Sequence, residues 1–100
     1  NMVRCITILD EEYPYQLKNR LQKKAPPLLF VLGSYDLLKK TSVGFCGSRK
    51  ASDKGIATAK DCSSQLAQKD INIVSGYATG VDMATHKAAL ECGGATTLVL

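Results

Sequence analysis

Tryptophan is absent from this 100-residue chain, histidine occurs once and proline three times. Cys5, Cys46, Cys62 and Cys92 are widely spaced and form no Cys-x-x-Cys pair. With one histidine beside them, a zinc site is not expected. The cysteines read instead as four small buried side chains in a reducing compartment. No apolar run approaches the length of a membrane span, and no charged-then-apolar leader opens the chain. A membrane role is therefore not expected, and the location reads as cytoplasmic. Gly-x-Gly-x-x-Gly and Walker loops are missing as well, which argues against an ordinary dinucleotide or P-loop site.

What is present is a chain with 45% hydrophobic residues, enough for one domain with a real core. Its net charge of +4, from 13 basic and 9 acidic residues, is consistent with a polyanion partner without being diagnostic.

Taken in order, residues 2–9 are β-branched and apolar enough for a short strand, which Asp10-Glu11-Glu12 interrupts. Tyr13-Pro14 reads as a turn or helix start, and Tyr15 to Leu21 as one or two helical turns closed by Lys23-Lys24-Ala25-Pro26-Pro27. The apolar run Leu28 to Leu32, closed by Gly33-Ser34, predicts a buried strand that joins the main sheet. From Thr41 the pattern is regular. A strand at 43–46 leads to a helix over roughly 54–69, capped by Ser52 or Asp53, on which Ile56, Ala59, Cys62 and Leu66 repeat at helical spacing. A strand at 71–74, a helix over Asp82 to Cys92 stopped by Gly93-Gly94, and a strand over 95–100 follow. Residues 1–40 thus form an N-terminal segment and 41–100 a βαβαβ half of a Rossmann-like, doubly wound α/β domain with a mainly parallel sheet, the whole expected as one structural unit. Because the last strand is of the buried type and no helix follows it, the sheet is expected to continue in further chain or to be completed by another.

Two glycine loops should meet at the carboxyl ends of these strands, where parallel sheets bind ligands. The first is Gly47-Ser48-Arg49-Lys50, followed by Ser52 and Lys54. A glycine there lets the backbone approach a phosphate, Ser48 offers a hydroxyl, and Arg49 a bidentate fork for phosphate oxygens. Lys39, Lys40, Lys50 and Lys54 flank it; such lysines are ordinarily a solvated face. The second runs from Ser75 through Gly76, Thr79 and Gly80 into a helix start, where amides and the helix dipole favour an anion. Asp82 and His86, four apart, share a helix face. As an acid–base pair they lack a neighbouring nucleophile, and as metal ligands they lack a third partner. They read as organisers: Asp82 capping the helix and bonding loop amides, His86 packed or bonded beneath the rim. Tyr77 is the single aromatic residue in either loop, too little for a clear stacking platform. No catalytic residue, metal or cofactor is called for.

The stretches Gly47-Ser48-Arg49, Ala51-Ser52 with Gly55, Ile73-Val74-Ser75-Gly76, Ala78, Gly80, Asp82, Ala84, His86, Ala89-Leu90 and Gly93-Gly94-Ala95-Thr96 resemble the DprA/Smf family of DNA-processing proteins. Tyr13-Pro14, Leu17, Pro26-Pro27, Leu29-Phe30 and Gly33 extend the resemblance over nearly the whole chain. It implies an extended Rossmann domain that binds single-stranded DNA without base specificity, supports DNA uptake and transformation, loads a RecA-type recombinase, acts as a homodimer and is not an enzyme. It also implies that Arg49 is the principal phosphate contact and that the Ser75–Gly80 loop is the adjoining wall. Three features depart from the family pattern: Thr79 stands where a basic residue is usual, Asp70 where glycine usually ends the helix, and the family domain extends well past residue 100. The alternative is a nucleotide-binding sensor or nucleotide-processing enzyme of the wider DprA/LOG-like superfamily, whose Pro-Gly-Gly-x-Gly-Thr-x-x-Glu motif would lie beyond residue 100, so that its absence from these residues decides nothing between the two.

Overall fold

Asp10 ends the first strand by folding back on it. Its carboxylate accepts from the Thr7 amide at 2.8 Å while its own amide donates to the Thr7 carbonyl at 3.0 Å, so β1 (Arg4–Thr7) stops in a tight turn. The computed structural model describes residues 3–100. Pro14 precedes α1 (Tyr15–Leu21), which runs into a 3-10 turn at Gln22–Lys24. The Tyr13 hydroxyl donates to the Pro26 carbonyl at 2.7 Å, which brings the following β2 (Leu28–Val31) back alongside β1. The two strands pair antiparallel, Arg4 opposite Val31 and Thr7 opposite Leu28. Ile6, Tyr13 and Tyr35 form the core here, with Leu17, Leu29 and Val31 packed against it.

Two expectations are corrected at this point. The strand over 28–32 takes β1 as its partner in a two-stranded sheet rather than joining the parallel sheet. It is not a buried strand either, since Leu28, Phe30 and Leu32 are exposed. An unbroken apolar run carries no period, so nothing in it distinguishes a strand buried on both faces from one buried on a single face. The chain also separates into two compact units between Lys39 and Lys40, where one was expected. Each has its own buried cluster.

The second unit has the predicted α/β order. β3 (Ser42–Gly44), α2 (Asp53–Gln68), β4 (Asn72–Ser75), α3 (Val81–Glu91) and β5 (Thr96–Leu98) alternate. The strands make a parallel sheet in the order β3-β4-β5, Val43 opposite Ile73 and Ile73 opposite Thr96. Ile73, fully buried, packs on Ala67 of α2 and Ala89 of α3, with Phe45 beside them. That burial is worth about 1.5–3 kcal/mol.

The two helices pack along one another through small residues: Ala59, Ser63 and Ala67 are buried on α2, and Ala84, Ala88 and Ala89 on α3. Ser63 donates to the Thr85 carbonyl at 2.6 Å across the contact. The stripe is thus displaced from the predicted one. Cys62 is exposed, and Ser63 takes the buried place because a hydroxyl with a carbonyl partner tolerates burial. Cys5 and Cys46 are exposed and Cys92 half-buried, so the reading of four buried cysteines fails.

Ser52 is the N-cap of α2, its Oγ accepting from the Gly55 amide at 3.1 Å. At the other end Asp70 adopts φ +63° and pairs with Lys40. Among the described residues no helix is long and apolar enough to cross a membrane.

Candidate functional site

The loops after β3 and β4 meet, as parallel strands require, at the carboxyl edge of the sheet. The Val81 amide, the first of α3, donates to the Ser48 carbonyl at 3.3 Å. The Thr79 hydroxyl donates to the Arg49 carbonyl at 3.5 Å. Gly80 has φ +78° and ψ −125°, a region open essentially to glycine. Gly47 leaves room for Val81: a β-carbon on Gly47 would stand 2.6 Å from the valine side chain.

These contacts orient the backbone of the first loop. In a trans peptide the C=O and the next N–H point opposite ways. Turning the Ser48 carbonyl toward Val81 therefore turns the Arg49 N–H away from α3. Among the described residues the amides of Ser48, Arg49 and Tyr77 donate to no protein acceptor. Ser48 Oγ accepts from the Lys50 amide at 3.0 Å, closing the turn. Gly47, Ser48, Arg49, Lys50, Ser52 and Lys54 are all exposed along this edge, and Arg49 has no carboxylate partner among the described residues. The starts of α2 and α3 add two positive helix ends.

Beneath the second loop lies a hydrogen-bonded floor. His86, 4% exposed, faces the Gly76 carbonyl with Nε2 at 2.8 Å and Thr96 Oγ1 with Nδ1 at 2.5 Å. A carbonyl only accepts, so Nε2 carries a proton and donates to it. Thr96 Oγ1 also bonds the Ile73 carbonyl at 3.0 Å, which ties β5, β4, α3 and the loop together. Asp82 Oδ2 accepts from the Ala78 amide at 3.3 Å and lies close under Gly76.

Most of the candidate residues come together at this rim; four readings change. Ser75 is buried and its hydroxyl donates to the Phe45 carbonyl at 2.7 Å, so its side chain is engaged between two strands instead of lying open at the rim. Asp82 bonds a loop amide as expected but does not cap α3: Gly80 holds that place without a side-chain bond. Lys40, expected beside the first loop, pairs with Asp70 beyond the far end of α2. Lys39 belongs to the other unit, its amine 5.3 Å from the centre of the Tyr35 ring. Thr96 carries the family resemblance in the sequence but no role under His86 could be read there. Threonine in a strand is ordinary β-propensity, and only the pairing of Thr96 with Ile73 puts it under a histidine.

A shallow depression of about 490 Å³ opens elsewhere, beside Lys40, Asp70, Cys92 and Gly93 at the carboxyl ends of the two helices. Negative helix ends make that location unsuited to an anion. Among the described residues no three His, Cys, Asp or Glu side chains cluster to hold a metal ion.

Comparison with known proteins places this arrangement. The family model described as DNA recombination-mediator protein A matches residues 4–100. The DNA processing protein DprA of Streptococcus pneumoniae (strain ATCC BAA-255 / R6) is 42% identical over 94 residues, covering 94% of this chain and 32% of that protein. DprA of Bacillus subtilis (strain 168) is 30% identical over 99 residues, covering 98% of this chain and 33% of that protein. Protein Smf of Escherichia coli (strain K12) is 36% identical over 90 residues, covering 90% and 24%. The X-ray structure of DNA processing protein A from Streptococcus pneumoniae superposes with a TM-score of 0.84 at 40% identity, over 96% of this chain and 33% of that one. The chain thus spans at most about a third of the length of these relatives.

Proposed function

Because the chain belongs to the DNA recombination-mediator protein A family, we propose that its glycine-loop rim binds single-stranded DNA through backbone phosphates. The observation that supports this most directly is the joining of the two loops through Ser48–Val81 and Arg49–Thr79, with Arg49 exposed and the Ser48 and Arg49 amides without a protein acceptor among the described residues. Guanidinium and amides together suit phosphate oxygens. Lys50 and Lys54 add positive charge along the same edge, and no feature of the rim selects a base by its hydrogen-bonding edge. The contacts proposed are Gly47, Ser48, Arg49, Lys50, Ser52 and Lys54, with Gly76, Thr79 and Gly80 as the wall, and Asp82 and His86 as organisers.

The proposed role is binding rather than catalysis. Both nitrogens of His86 and one oxygen of Asp82 are engaged in holding the fold, which leaves no free acid–base pair. In the cell the module would hold incoming single strands during uptake and transformation and pass them to a RecA-type recombinase, working in the cytoplasm as a homodimer.

The test is a fluorescence-anisotropy salt titration of the protein against oligo-dT, duplex DNA and free nucleotides. The expected result is tightest binding to oligo-dT, with log K falling linearly in log salt. Tight binding of a free nucleotide with none of oligo-dT would overturn the proposal in favour of a nucleotide sensor. Thr79, which puts a neutral hydroxyl where the family resemblance leads one to expect a base, makes that comparison worth running.

A further inference from the structure

Tyr77 sits at the crest of the second loop, 64% exposed, and both of its flanking peptides are pinned from below. On one side His86 Nε2 holds the Gly76 carbonyl at 2.8 Å. On the other, Asp82 Oδ2 holds the Ala78 amide at 3.3 Å. Each tie fixes a trans peptide plane. With the Gly76 carbonyl turned down, the Tyr77 N–H turns up; with the Ala78 N–H turned down, the Tyr77 carbonyl turns up. The residue is thus held on two sides and lifted away from α3. His86 is itself anchored by Thr96 on β5, so the support reaches into the sheet. The Tyr77 ring belongs to neither buried cluster among the described residues. Two residues on, Thr79 donates to the Arg49 carbonyl, so the loop that carries Tyr77 adjoins the loop that carries Arg49.

We infer that Tyr77, too little by itself for an extended platform, stacks a single nucleobase on this rim, from a single strand whose phosphates lie along Arg49 and the adjoining amides. The inference rests on the single-strand reading above and supplies what that reading lacks, a contact to the bases. Stacking on an aromatic face is sequence-tolerant because every base has a π-face, so the platform adds affinity without adding a code. His86 and Asp82 are positioning residues for it: neither reaches the base, and each holds one peptide that sets the ring's place.

The test compares Tyr77→Ala and Tyr77→Phe in the protein on oligo-dT and on an abasic oligonucleotide of the same length. Tyr77→Ala is expected to weaken oligo-dT binding roughly 5- to 150-fold, the range for one stacked base. Tyr77→Phe, which keeps the ring, should stay within about two-fold of the parent. On the abasic strand all three proteins should bind alike, and the salt slope on oligo-dT should be the same for each, since no phosphate contact is removed. Equal binding of oligo-dT by Tyr77→Ala and the parent would overturn the platform while leaving the single-strand reading intact. So would an equal loss on the abasic strand. A parent protein that binds no oligo-dT would overturn the underlying reading instead.

Discussion

Ser48 and Gly80 approach so closely that a β-carbon on the glycine would stand 2.3 Å from the serine carbonyl oxygen. The two loops of the rim are therefore one unit, joined where only a glycine fits. Gly80→Ala meets both a backbone clash and a positive φ. It should lower stability by at least about 2 kcal/mol. A urea-unfolding midpoint indistinguishable from the parent's would show that the loops are not coupled there.

Arg49 is the rim's exposed guanidinium, and its removal tests the phosphate contact directly. Arg49→Ala should weaken single-strand binding by a similar factor for every sequence and flatten the plot of log K against log salt by about one unit. Arg49→Lys should restore the slope, because the charge returns, but only part of the affinity, because the fork does not. A slope unchanged in Arg49→Ala would remove the arginine from the contact surface.

Cys46 offers a footprint that needs no substitution. It is exposed immediately before Gly47, whereas Cys62, also exposed, lies about 14 Å along α2 from that helix's first residue at 1.5 Å per residue. Oligo-dT should slow alkylation of Cys46 and leave Cys62 labelling at its free rate, as read by peptide mass spectrometry. Protection of Cys62 with Cys46 unaffected would place the strand elsewhere on the unit.

Asp70 holds φ +63° just past the end of α2, a conformation in which glycine carries no β-carbon penalty. Asp70→Ala keeps the penalty and loses the Lys40 partner, so stability should fall by up to about 1 kcal/mol. In Asp70→Gly relief of the backbone offsets both the lost ion pair, which is worth about 0–1 kcal/mol at this exposure, and the added freedom of the unfolded chain. That variant should stay within about 1 kcal/mol of the parent. Thermal denaturation of the pair checks the ordering; glycine below alanine would reverse it.

Much of this was legible before any coordinates. The βαβαβ order, the Ser52 cap and the two loops follow from period changes punctuated by glycine, and those signals are local. What was not legible depends on partners. Leu28, Phe30 and Leu32 look like a buried run until only the alternate side chains, Leu29 and Val31, are found packed on Ile6, Tyr13 and Tyr35. Ser75 looks like a ligand group until the Phe45 carbonyl is found 2.7 Å away. Ser63 ranks below Cys62 by hydropathy, yet its hydroxyl has the Thr85 carbonyl to bond and so goes inside. In each of these three cases the environment is set by residues elsewhere in the chain.

Gly94 lies at the foot of the helix pair, where a β-carbon would stand 2.5 Å from that of Ala67. The pair is closed by the absence of a single methyl group. Because α2 and α3 run side by side, a methyl at Gly94 would act as a wedge that parts their carboxyl ends, where Gly94 meets Ala67. The cost would fall on the helix contact itself, with the rim about 16 Å away at about 1.5 Å per residue of α3 and every side chain there still in place.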